Sequence, residues 1–176
     1  MLIFPISSQA QTILGIATKW ADEFREWDVF TYDYETEEEA EGEIIMRWQT
    51  QNDWTEWDFR MFDGNGSIKQ KFKDDPSIWE LRFYEDLVTA RTLWKNDFSE
   101  WRITDGNVTL KLKSRWRNSF NEWQIEDTSN GNFYIYTTWE DDPREWEIKD
   151  ELSEDISASV KMMITFLVIY HSTPKI

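Results

Sequence analysis

The chain has 176 residues, with 35 Asp and Glu against 19 Lys and Arg, and a formal net charge of −16 at pH 7. This charge repels phosphate backbones and anionic lipid surfaces, so we expect neither a nucleic-acid partner nor a membrane partner. The absence of Cys excludes disulfides and thiol catalysis, while 12 Trp and 11 Phe supply enough apolar surface to exclude a disordered acidic chain.

Residues 1–10 resemble the end of a bacterial secretory signal peptide. Ser8 and Ala10 follow a short apolar run and are the small residues that signal peptidase prefers near its cleavage site. We therefore expect an exported bacterial protein, either periplasmic, at the cell surface or secreted. A short N-terminal strand is the alternative, because the basic region that usually begins a signal peptide is missing.

A Trp-flanked segment recurs along residues 11–152. Its copies are Trp94–Trp101, Trp116–Trp123 and Trp139–Trp146, with looser versions at Trp20–Trp27 and Phe72–Trp79 and a longer one from Trp48 to Trp57. From Trp57 onward the second Trp of successive copies recurs about every 22 residues, a period typical of repeat proteins.

The segments between these copies alternate apolar and polar residues. Val108, Leu110 and Leu112 fall on one face, for example, while Lys111 and Lys113 fall on the other. Turn sequences such as Asp-Gly-Asn-Gly at 63–66 separate the segments. The pattern predicts a mainly β fold, an up-and-down antiparallel meander of about twelve short strands that is strongly curled or barrel-like.

Both Trp residues of each copy fall in phase with the apolar strand face. We therefore predict that they pack as cross-strand pairs and form a structural band at one end of the sheet. The predicted band contains Trp20, Trp27, Trp48, Trp57, Trp79, Trp94, Trp101, Trp116, Trp123, Trp139 and Trp146.

Residues 153–176 break the alternation and form the last part of the same domain. Helical spacing over 155–171, with Asp155 as the N-cap, predicts one C-terminal helix packed on the apolar face of the sheet. A buried strand is the alternative. The predicted apolar stripe is Ile156, Val160, Met163, Leu167 and Tyr170, and the opposite stripe is Ala158, Lys161, Thr165 and Ser172.

The sequence contains no recognisable catalytic constellation. His171 is the only His, so neither a Ser-His pair nor a multi-His metal site can be assembled. The Glu before the second Trp recurs at 26, 56, 100, 122 and 145, which indicates a turn or solvent-facing position rather than a catalytic acid. Residues 35–43 are expected to form a solvated acidic loop, and 63–67 a hairpin turn rather than a calcium loop. We expect no catalytic, cofactor-binding or metal-binding residue.

The period and hairpin form are similar to those of MORN repeats and choline-binding repeats, but the characteristic motifs of both families are missing. Three functional hypotheses remain. The first is a non-enzymatic exported β-repeat protein that binds or scaffolds a protein or glycan partner. The second is a small outer-membrane β-barrel, and the third is a carboxylate-based enzyme with its site in the barrel mouth.

Overall fold

The computed structural model describes residues 11–176, so the signal-peptide prediction for 1–10 lies outside the described residues. Twelve strands and one helix form the fold: β1 (Gln11–Thr18), β2 (Glu26–Asp33), β3 (Glu38–Trp48), β4 (Asp53–Met61), β5 (Gly64–Gln70), β6 (Ile78–Phe83), β7 (Asp86–Trp94), β8 (Asp97–Thr104), β9 (Thr109–Trp116), β10 (Ser119–Asp127), β11 (Gly131–Trp139), β12 (Asp142–Leu152) and α1 (Ala158–Ser172). A single 3₁₀ turn, Gln49–Gln51, joins β3 to β4.

The strands form a closed barrel in which each strand pairs antiparallel with its neighbours in sequence. The last strand, β12, pairs with β1 through Ile16 and Trp146, and this seam removes the free edges of the sheet. The prediction of a mainly β, up-and-down meander with one C-terminal helix is confirmed.

The helix α1 occupies the interior of the barrel. A twelve-stranded barrel leaves a lumen too wide for strand side chains alone, and α1 fills it. Every residue from Ala158 to Tyr170 is buried, including Lys161 and Thr165 from the stripe opposite the apolar one. Because the barrel surrounds the helix, both stripes are enclosed.

The helix begins two residues later than the sequence suggests. Ser157, rather than Asp155, is the N-cap, and its side chain accepts a hydrogen bond from the backbone N–H of Val160 at 3.3 Å. The prediction of Asp155 as N-cap is therefore wrong. Ser157 has the extended backbone typical of an N-cap and places its hydroxyl against the free N–H groups of the first turn.

Two local sequence predictions are corrected by the structure. Residues 38–43 of the expected acidic loop belong to β3, because their backbone pairs with β2 while their carboxylates extend from the barrel. The β4–β5 hairpin turns at Phe62 and Asp63, which have positive φ, one residue before the expected glycines. A register shift between Ile13 and Gly15 also interrupts the alternation of β1, and Leu14 is exposed.

Candidate functional site

The second Trp of every repeat points into the barrel and forms an inner Trp ring. Each indole Nε1 donates to the backbone carbonyl three residues earlier, at 2.8–3.0 Å, so each indole ties down its own hairpin loop. All six side chains are buried because they surround the C-terminal half of α1. The inner Trp ring consists of Trp27, Trp57, Trp79, Trp101, Trp123 and Trp146.

The helix contacts this ring through aromatic and polar side chains. Phe166 lies 4.9 Å from Trp79 between ring centroids, and Tyr170 lies 4.7 Å from the same indole. Trp123 also donates to the hydroxyl of Ser172 at 3.0 Å. These contacts assign the inner ring to the core, where it holds the helix at one end of the barrel.

The first Trp of five repeats lies outside the barrel and forms an outer Trp ring. Its members are 42% to 63% exposed, compared with at most 2% for the inner ring. The outer indoles lie at the same end of the barrel as the inner ones, one in each of five of the six hairpins. The outer Trp ring consists of Trp20, Trp48, Trp94, Trp116 and Trp139.

A carboxylate orients each outer indole. The Nε1 of Trp94 donates to Glu100 at 3.1 Å, and the other four indoles make the same bond to the Glu before their own inner Trp, at 3.1–3.2 Å. These carboxylates face outward because adjacent residues of a strand lie on opposite faces. The repeated Glu therefore holds the Nε1 edge of each outer indole, and part of the ring surface remains open to solvent.

The prediction that both Trp residues of a repeat pack on the apolar face is wrong for the whole outer ring. The reason is a register shift at the end of the hairpin. Thr92 pairs with Trp101, but Trp94 pairs with Asp97, so β8 carries extra residues and the alternation does not continue to Trp94. Such a bulge bends the strand and redirects its side chains. Comparable shifts precede Trp48 and Trp139.

The third repeat differs from the other five. Phe72 replaces the outer Trp, and Ile78 replaces the Glu that would hold its indole, so donor and acceptor are absent together. Beside this repeat lies a groove with a volume of about 640 Å³, which we call the third-repeat groove. Its walls include Asp75, Ser77, Ile78, Arg91, Trp94 and Arg102.

The carboxylate of Asp75 is held within its own loop. It accepts from the backbone N–H of Ser77 at 3.0 Å and also from the Ser77 hydroxyl. These hydrogen bonds lower the pKa of Asp75, with further lowering by the nearby charge of Arg91. The same Asp-to-Ser arrangement shapes the next repeat through Asp97 and Ser99.

Within residues 11–176, no three Asp, Glu or His side chains converge in a way that would hold a metal ion. His171 lies in the last turn of α1, stacked on Phe98 with ring centroids 5.0 Å apart. In the same residues, no helix is long and apolar enough to cross a membrane.

The sequence shows the repeated Glu and Trp positions, but it did not predict the hydrogen bond that joins each of these Glu residues to its outer Trp. It also missed Arg91 and Arg102. Aligning the six repeats would have shown that the third loses its outer Trp and its Glu together, and that Trp101 is followed by Arg where other repeats carry Asp, Glu or Gln.

Searches of known protein families, curated proteins and solved structures find no match to this chain.

Proposed function

We propose that this protein is a non-enzymatic binding protein that holds a glycan chain against its outer Trp ring. The observation that carries the proposal is the set of five exposed indoles, each oriented by its own Glu. Trp combines a large apolar face with low conformational freedom and is common where proteins contact ligands. Five such faces at one end of a rigid barrel form a multivalent surface.

The surroundings of the outer indoles favour a sugar over a protein or a nucleic acid. The indoles lie beside charged side chains: the Arg115 guanidinium is 5.1 Å from the centroid of the Trp116 ring and pairs with Glu122. A protein interface usually presents a continuous apolar patch instead. A sugar ring has an apolar face for the indole and hydroxyls that donate to carboxylates. The net charge of −16 disfavours a phosphate backbone.

The spacing of the ring favours a chain of sugars over a single sugar. Neighbouring repeats are two strands apart, which places successive outer indoles at least about 10 Å from each other. A ligand that contacts two of them must therefore extend beyond one sugar ring. Several weak contacts along one chain would then add through effective concentration.

The alternative functions find less support. The outer wall carries charged residues in the middle of the strands, including Arg82, Arg102, Lys111 and Glu147, where an outer-membrane barrel needs an apolar belt. A carboxylate-based enzyme would need room at the barrel mouth, and α1 with the inner Trp ring fills the lumen there.

We also propose that the protein acts outside the cytoplasm. The support is the Ser8-Gln9-Ala10 segment, which matches a signal-peptidase site, and a glycan ligand fits an extracellular setting. N-terminal sequencing of the native protein tests this. A chain that begins at Gln11 is expected, and a cytoplasmic protein that retains Met1 would contradict export.

Binding to a panel of neutral polysaccharides, followed by isothermal titration with oligomers of those that bind, tests the glycan proposal. We expect Trp116→Ala and Trp139→Ala each to weaken binding by at least about tenfold. Tyr34→Ala is the matched control, because Tyr34 is equally exposed but lies at the opposite end of the barrel. Equal binding by all three variants would overturn the proposal.

A further inference from the structure

Arg91 occupies an exceptional position on the outer wall. In the strand register it lies between Ile78 on β6 and Arg102 on β8. The same position one repeat earlier is Lys69, which lies between Glu56 and Glu80. Arg91 therefore lacks both of the carboxylates that flank Lys69, because Ile78 stands in place of one and Arg102 in place of the other.

Arg91 and Arg102 are also unpaired. Neither guanidinium forms a salt bridge or donates a side-chain hydrogen bond to any of residues 11–176, although the chain has a large excess of carboxylates. Like charges directly opposite each other on paired strands destabilise a sheet. An anion placed between the two guanidinium groups would remove this repulsion.

The two Arg side chains face the third-repeat groove together with an outer indole. Trp94 and Lys95 line the groove, and Asp74 and Asp75 line its other side. Because Asp75 already accepts two hydrogen bonds from Ser77, its carboxylate is engaged within its own loop. Three cations face two carboxylates here, so the groove is locally cationic on a strongly anionic protein.

We propose that the third-repeat groove binds an acidic sugar unit, with its ring on Trp94 and its carboxylate across Arg91 and Arg102. Guanidinium groups match the planar geometry of a carboxylate and can donate two parallel hydrogen bonds to it. The overall charge of −16 repels a densely charged polymer, so the preferred ligand is a largely neutral glycan that carries isolated uronate units. This inference rests on the glycan-binding function proposed above and names its ligand.

Sodium glucuronate and glucose test the inference, because they share a ring and differ at the carboxylate. Each is titrated into the full chain while NMR follows the indole N–H of Trp94 and the Nε–H groups of Arg91 and Arg102. We expect glucuronate to bind at least about tenfold more tightly than glucose and to shift all three signals. The double variant R91Q/R102Q should bind glucuronate only as weakly as glucose, with glucose binding unchanged.

Lys69→Gln is the matched control, because Lys69 holds the same register position in the preceding repeat. It should leave glucuronate binding intact. Glucuronate binding no tighter than glucose binding, or undiminished in R91Q/R102Q, would overturn the acidic-sugar inference. Unchanged glucuronate binding in Trp94→Ala would also overturn it, since the anion would then bind without a stacked ring.

The failure of this inference is distinguishable from failure of the general function. Neutral polysaccharide binding that depends on Trp116 and Trp139 would uphold the proposed function even if glucuronate shows no preference. If the protein binds no neutral polysaccharide and also shows no preference for glucuronate, both proposals are overturned.

Discussion

Lys161 of α1 and Asp150 of β12 form an ion pair inside the barrel, with their side chains only 5% and 7% exposed. The Thr12 hydroxyl donates to the same carboxylate, and the Lys161 ammonium also donates to the carbonyl of Gln11 at 3.3 Å. The pair links the central helix to both strands of the seam that closes the barrel. It thereby helps to set the depth and rotation of the largely apolar helix.

Replacing Lys161 with Met should destabilise the fold by about 3–5 kcal/mol, because the buried carboxyl of Asp150 would lose its partner. Urea denaturation measures this change. The matched control is Lys149→Met, which breaks the exposed Lys149–Glu151 pair and should cost less than about 1 kcal/mol. Equal losses in the two variants would show that the buried pair has no special role in stability.

The sequence predicted the helix itself but not this anchor. Helical spacing is a local signal, and it locates α1 to within a few residues. The contact between Lys161 and Asp150 depends on barrel closure, which brings distant parts of the chain together. The sequence pattern therefore indicates that the stripe containing Lys161 is the polar side of the helix, although the closed barrel buries it.

At the candidate site, the sequence likewise predicted the environment of some Trp residues but not of others. Alternation correctly predicted Trp101 in the core, but a register shift at the hairpin end places Trp94 outside. Alternation along a strand reliably predicts which side chains face the core only where the strand pairing is regular, because a bulge interrupts the alternation. The outward Glu100 was predicted correctly, but its hydrogen bond to Trp94 required the folded geometry.

Removing Trp101 and removing Trp94 should therefore have different effects. Trp101→Ala leaves a large cavity beside His171 and should cost about 3–5 kcal/mol in urea denaturation. Trp94→Ala removes one exposed hydrogen bond and should cost about 1 kcal/mol or less. Acrylamide should quench the five outer indoles readily and the inner ring poorly. Uniform quenching of all Trp fluorescence would contradict the division into two rings.

Gly66 on β5 is required for the packing of an aromatic side chain. A Cβ at this position would meet the ring of Phe59 and lie 2.7 Å from the carbonyl oxygen of Arg82. Gly66→Ala should therefore destabilise the barrel by about 1–3 kcal/mol, as other overpacked substitutions do. In a Phe59→Leu background the cost should be smaller, because the smaller side chain can move aside. Urea denaturation of the four proteins in this cycle tests the coupling, and strictly additive costs would contradict it.

His171 should make the stability of the protein depend on pH between about 6.5 and 3. Burial lowers the pKa of its imidazole to about 3, with a smaller contribution from the charge of Lys175. Its Nε2 is buried and has no hydrogen-bond partner among residues 11–176. The folded protein therefore keeps His171 neutral at a pH where the unfolded chain, with an ordinary pKa of about 6.5, takes up a proton.

Because the unfolded state binds the additional proton in this window, the free energy of unfolding falls as the pH falls. The expected loss between about pH 7 and pH 5 is about 2 kcal/mol. His171→Phe keeps a ring against Phe98 and removes the titrating group, so its stability should change little over the same range. Asp residues with lowered pKa, such as Asp97, add their own acid dependence mainly below about pH 4, outside the range from pH 7 to pH 5. Urea denaturation at both pH values checks the difference, and parallel losses in the two proteins would assign the pH dependence to other groups.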